Sequence, residues 1–286
     1  MNKHHARWEP DRYLRYEGER QRPLLELLAR IPTLDARSVV DLGCGTGAGT
    51  AMLCERWPEA VVVGIDSSDE MLSKALARKQ AESGHSRGEL MLRDGPALSA
   101  PPRGSVSFVK ADILSWTPEP STVDVIFSNA ALHWIPGHEG LFGSWVEGLR
   151  KGGALAFQVP GNFDAPSHTL LADLANSAEW RQRFPAGDPA NKVRSPSEYY
   201  RLLRRVAEDV DVWETTYYHR LRGDDPVFDW VSATALRPYV EALSAEERPT
   251  FAESYKGLLR VAYPREPSGE TLFPFRRIFA VATRSR

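Results

Sequence analysis

Val39-Val40-Asp41-Leu42-Gly43-Cys44-Gly45-Thr46-Gly47 is the stretch that decides the fold. Its opening residues are apolar and β-branched, the pattern of a buried strand. The alternating glycines after them let the backbone turn sharply into a helix. With no Cβ in the way, a ligand can lie directly against main-chain N–H groups at the helix N-terminus. A second buried strand, Val61-Val62-Val63-Gly64-Ile65, ends in Asp66, followed by Ser67. An acid about twenty residues past such a loop meets the two hydroxyls of a ribose. The unit therefore predicts a nucleotide-like ligand.

Two spacings fit the loop. Gly43, Gly45 and Ala48 satisfy the looser dinucleotide form, G-x-G-x-x-A, so NAD stays open. Asp41, Gly43, Gly45 and Gly47 satisfy D-x-G-x-G-x-G at every fixed position, the form of S-adenosylmethionine sites. A carboxylate at the loop mouth repels a pyrophosphate and attracts an ammonium, which favours the second form.

Outward from this unit the strand–helix rhythm is regular to about residue 160. The patterns predict helices over Leu24–Ile31 and Thr46–Trp57, a helix from Asp69, strands over Val106–Val109 and Val123–Phe127, a helix over Leu141–Leu149 and a strand over Ala154–Val159. Repeated βα units imply parallel strands with helices on both faces. Ser83–Gly104, rich in Gly, Pro, Ser and Arg, reads as a surface insertion. Past Pro160 the rhythm breaks into helical segments with proline-rich joints, a strand over Val210–Tyr218, further helices, and a last strand, Phe275–Ala282, expected to run antiparallel. The expected organisation is one α/β domain over 1–286, with 1–22 as an N-terminal flap and 161–204 and 224–265 as helical cap insertions.

The 286 residues carry 36 basic and 38 acidic side chains, no signature of a nucleic-acid partner. No apolar run of about eighteen residues is long enough to cross a membrane. Cys44 and Cys54 are too few for a disulfide framework and suit a reducing cytoplasm. There is no Cys/His cluster with metal-ligand spacing and no G-x-S-x-G nucleophile elbow.

In an open α/β sheet, ligands lie beyond the carboxyl ends of the strands, so Asp41, Asp66 and Asp112, at three strand ends, are expected to face one crevice. Asp112 has the chemistry to accept from an exocyclic adenine amine, with Ile113 flanking the ring. Alone, an acid at a strand end also serves as a helix N-cap. Asn129 falls at the fourth strand's end, where donor and acceptor would meet, and His133 follows it. Tyr13, in the aromatic segment Trp8–Tyr16, and Arg277, on the last strand, are further candidates. Arg276 and Arg277 face opposite sides, so at most one enters a given cavity.

These stretches, with Trp8-Glu9-Pro10, Ser128-Asn129-Ala130-Ala131-Leu132-His133-Trp134, Val210–His219 and Phe275-Arg276-Arg277-Ile278-Phe279, resemble the class I S-adenosylmethionine-dependent methyltransferases. Within that class they look most like the trans-aconitate 2-methyltransferase family. The resemblance implies a Rossmann-like doubly wound sheet of seven strands, mostly parallel with the last reversed. It implies S-adenosylmethionine as cofactor, S-adenosylhomocysteine as product, and a small polycarboxylate as acceptor with no obligate protein partner. Asp66 and Ser67 would then serve the ribose, Asp112 and Ile113 the adenine, and Asp41 with Gly43, Gly45 and Gly47 the methionine portion, with Asn129 near the transferred methyl. Tyr13, His133 and Arg277 would hold the acceptor's carboxylates. Another small acid, or a malonyl carrier protein, is the alternative acceptor.

Overall fold

The computed structural model describes residues 17–82, 92–93, 102–184, 193–232 and 234–285. Tyr13 and most of both the expected flap and Ser83–Gly104 lie outside them. In chain order the regular elements are α1 (Glu17–Ala29), β1 (Ser38–Leu42), α2 (Ala48–Arg56), β2 (Val61–Asp66), α3 (Asp69–Glu82), β3 (Leu92–Arg93), β4 (Val106–Lys110) and β5 (Val123–Asn129). After β5 come two 3₁₀ turns, Leu132–Trp134 and His138–Leu141, then α4 (Phe142–Gly148), β6 (Leu149–Pro160), α5 (Pro166–Asn176) and α6 (Pro196–Leu203). The chain closes with β7 (Asp209–Leu221), α7 (Pro226–Ser232), α8 (Arg237–Ala242), α9 (Glu247–Ala262) and β8 (Thr271–Thr283).

The strands lie in the order β3-β4-β2-β1-β5-β6-β8-β7. Seven are full strands; the two-residue β3 adds an edge, pairing parallel with Phe108 and Val109. Parallel registers link β1 to β2 and β5, β2 to β4, and β5 to β6. Along β8 the direction reverses. Gly152 donates to the Arg284 carbonyl (3.1 Å) and Gly161 to that of Arg276 (2.9 Å), so numbers fall on β8 as they rise on β6. This is the expected Rossmann-like sheet with its last strand antiparallel.

The chain divides into two compact units, and the boundary falls inside β7 and β8. One comprises residues 23–159, 192–214 and 278–286. Its centre is the β-branched and aromatic run of the central strands: Val39, Val62, Val125, Ile126, Phe127, Leu155 and Phe157 are all fully buried. A run this apolar on both faces belongs to a parallel strand covered on both sides. The second unit holds 160–191 and 215–277. Its core gathers Leu171, Trp180, Trp230, Phe251, Tyr255, Phe273 and Phe275. Proline opens α5 and α7, where the missing N–H costs nothing.

Two local differences from the sequence reading have physical causes. Helix α2 begins at Ala48 rather than Thr46, because Gly47 takes the left-handed conformation (φ 76°) as its N-cap. The strand expected from Ala154 already begins at Leu149, directly after the helix that ends at Gly148, and its register against β5 slips between Val123 and Val125. Gly153 allows this, since a Cβ there would sit 2.8 Å from the Asp124 carbonyl oxygen.

Candidate active site

The order of strands in the sheet places β2 and β4 on one side of β1 and β5 and β6 on the other. The carboxyl ends of β1 and β5 therefore flank the topological switch point, where open α/β sheets bind ligands. The glycine loop leaves β1 here. Gly43 and Cys44 both donate to the Ile65 carbonyl at the end of β2, at 2.8 and 3.0 Å. Gly43, Gly45 and Gly47 all have positive φ, at 71°, 54° and 76°. They do so for different reasons. A Cβ on Gly43 would lie 2.3 Å from the Ala131 Cβ, so this glycine lets the loop pack on the segment after β5. A Cβ on Gly47 would press on Ala75 of α3 at 3.0 Å. One on Gly45 would meet nothing within 4 Å, so Gly45 keeps a face of the loop bare.

Asp66 organises that loop. Its Oδ2 accepts from the Gly45 N–H and its Oδ1 from the Ser68 N–H, both at 2.9 Å. A carboxylate offers about four lone-pair positions, so it keeps acceptor capacity for a ligand's hydroxyls. Ser67 is exposed beside it. Asp41 lies deeper: it is buried, and its Oδ2 accepts from the Thr50 hydroxyl at 2.6 Å. Burial pushes the Asp41 carboxyl up to about 7; the Thr50 bond opposes this and the Asp66 charge adds to it. Burial, then the charges of Asp41 and Asp66, pushes the Cys44 thiol up as well, so this cysteine stays a protonated thiol packed within the loop.

Asp112 follows β4, whose neighbour Ala111 donates to the Asp66 carbonyl at 3.1 Å. The Asp112 side chain is exposed, and its Oδ1 accepts from the Leu114 N–H at 2.9 Å in a local turn. Ile113 is buried beside the loop, 3.5 Å from where a Gly43 Cβ would be. At the end of β5, Asn129 keeps a buried Oδ1 without a hydrogen-bond partner. The next residue, Ala130, holds φ 54°, a strained value for a residue with a Cβ. His133 lies in the first 3₁₀ turn with its ring tilted on Trp134 (4.7 Å).

The loop glycines, Asp41, Asp66, Ser67, Asp112, Ile113, Asn129 and His133 thus all belong to one unit. Arg277 belongs to the other, buried on β8 with its guanidinium carbon 4.4 Å above the Phe275 ring. Arg276 faces the opposite way, donating to the Gly161 carbonyl and pairing with Asp164 at 3.2 Å. Thr50 and Ala131 escaped the sequence reading. Each matters through a contact set by strand register and helix phase, which no local spacing announces.

A loop bare at Gly45, a half-used carboxylate at β2, an apolar flank at Ile113 and an orphaned carboxamide oxygen at β5 fit an adenosyl ligand with a cationic tail. They define a class I S-adenosylmethionine-dependent methyltransferase. The comparisons agree. A family model described as a methyltransferase domain matches residues 40–157. The trans-aconitate 2-methyltransferase of Streptomyces avermitilis is 45% identical over 280 residues, 96% of each chain. That of Mycobacterium tuberculosis is 42% identical over 278 residues, again 96% of each. The chain belongs to the trans-aconitate 2-methyltransferase family. A methyltransferase structure from Bacillus halodurans shares the fold, with TM-score 0.56 at 14% identity, covering 92% of this chain and 99% of that one.

Proposed function

We propose that this chain esterifies a carboxylate of trans-aconitate with the methyl group of S-adenosylmethionine. The carrying observation is the likeness to enzymes of that name along 96% of both chains. When bound, S-adenosylmethionine supplies a methyl group activated on a positively charged sulfur.

The chain's own residues then have these tasks. Asp66, with Ser67 beside it, holds the ribose hydroxyls. Asp112 and Ile113 receive the adenine. The bare face at Gly45, with Gly43 and Gly47 setting the loop, takes the methionine portion, and the Asp41 charge balances its cation. Asn129 marks the end of β5, where donor and acceptor meet. Tyr13, His133 and Arg277 receive the acceptor's carboxylates.

No base is required. A carboxylic acid with a pKa near 4 is ionised at neutral pH, so the acceptor oxygen arrives as a nucleophile. Opposite charges cancel as the reaction proceeds, and water, which solvates both, opposes it. Alignment and exclusion of water supply the acceleration. We assign the second task to the helical insertions (161–204, 224–265) and the segment 1–22. Two free cysteines suit a reducing, cytoplasmic setting.

The test is a competition among di- and tricarboxylates and a malonyl carrier protein for labelled methyl. The highest kcat/KM should fall to trans-aconitate; a clear preference for the carrier protein overturns the acceptor assignment.

A further inference from the structure

Asn162 stands two residues past the carboxyl end of β6 and is 3% exposed. Its Oδ1 is buried and has no hydrogen-bond partner. Ser167 donates its N–H to the Tyr263 hydroxyl (3.0 Å), and its carbonyl accepts from the Tyr255 hydroxyl. Core packing alone does not leave a carboxamide half-met, because a buried unpaired oxygen is a net cost.

Register says what lies beside it. Gly161 donates to the Arg276 carbonyl, so Asn162 follows directly on a residue held against the Phe275–Arg277 stretch of β8. Residues two apart on a strand share a face of the sheet. Phe275 and Arg277 do so, with the guanidinium over the Phe275 ring at 4.4 Å. A buried cation over an aromatic ring and a half-satisfied amide thus lie on adjoining segments, all within the second unit. A guanidinium is charged at every accessible pH and its planar fork matches a carboxylate.

We propose that Asn162, with Arg277, is a specificity-determining element that recognises a carboxylate of the acceptor; this rests on the polycarboxylate reading above. The amide is built to turn over. Its Nδ2 lies 3.4 Å from His168 Nδ1, which is also 3.2 Å from Ser167 Oγ. Turned, Oδ1 accepts the His168 Nδ1 proton and Nδ2 becomes a donor to the carboxylate. A neutral imidazole can carry its proton on either nitrogen, so the exchange needs no ionisation.

The experiment compares wild type, Asn162→Ala and the isosteric Asn162→Asp. Losing one hydrogen bond to a charged ligand should raise the KM for the acceptor about tenfold or more in Asn162→Ala. Asn162→Asp should raise it further, since its charge faces the acceptor's. Affinity for S-adenosylhomocysteine should be unchanged in both. An unchanged acceptor KM, or an equal loss of cofactor affinity, overturns the proposal. If Asn162→Ala loses its cooperative melt, Asn162→Asp alone decides. If wild type methylates no acid, the activity assignment fails by itself. Calorimetric titration of trans-aconitate into the S-adenosylhomocysteine complexes then decides this inference: binding abolished by Asn162→Asp supports it, while equal binding, or none to wild type, overturns it.

Discussion

For folding of the unliganded chain, the substitution Asp41→Asn removes a titration while keeping the side chain's shape. The carboxamide keeps an oxygen for the Thr50 hydroxyl, which lies 2.6 Å from Oδ2 in wild type. Burial raises the Asp41 carboxyl from 3.8 in the unfolded chain to about 7 in the folded one. Between those values the folded state holds a proton that the unfolded state has released, so stability falls as pH rises through the window. The contribution is complete below the unfolded value and gone above about pH 7. About three pH units at roughly 1.4 kcal/mol each give a swing on the order of 4 kcal/mol. A carboxamide does not titrate. Urea unfolding of both proteins at a series of pH values should therefore show the Asp41→Asn variant gaining on wild type from acid to neutral pH by most of that amount, with no further change at alkaline pH. A stability difference that stays flat across the series would refute the reasoning. The same group predicts that wild type releases a proton on binding S-adenosylmethionine below neutral pH, and that the variant does not. Calorimetry in buffers of different ionisation enthalpy reads this directly.

Further substitutions separate the roles of neighbouring groups. Gly43→Ala drives a Cβ to 2.3 Å from Ala131 at φ 71° and should cost about 3 kcal/mol or more by urea unfolding. Gly45→Ala meets nothing within 4 Å, so it should cost only about 1 kcal/mol of backbone strain. It should nonetheless weaken S-adenosylhomocysteine binding strongly in a titration, and retained affinity would show that the bare face is not the ligand's. Tyr199→Phe removes the donor to the buried His138 Nε2 (2.8 Å) and should cost about 1–3 kcal/mol, with a melt indistinguishable from wild type counting against that bond. Arg277→Ala should raise the acceptor KM and leave cofactor affinity intact; unchanged kinetics remove Arg277 from acceptor binding.

The sheet was legible because its cues are local. Buried β-branched runs, glycines needing positive φ and acids at strand ends announce β1, β2 and the loop between them. What escaped depends on partners distant in sequence. Asp41 reads as a mouth carboxylate, yet register and helix phase bury it against Thr50. Asp112 reads as a ligand contact, and its Oδ1 is engaged in its own turn. Helix α6 sits in a stretch that composition assigns to a cap, but Tyr199 bonds His138 and Arg194 pairs with Glu139, fixing it to the unit that holds the glycine loop. Asn162 carries no motif at all. Only the reversed register of β8 shows what stands beside it.

The most direct test of methyl transfer to a carboxylate uses the lability of an ester. The chain is incubated with trans-aconitate and S-adenosylmethionine labelled in its methyl group, and the product is analysed by mass spectrometry before and after mild alkali. The product should carry one labelled methyl, which alkali removes as labelled methanol, returning trans-aconitate. An alkali-stable label, or no transfer to the acid at all, contradicts it.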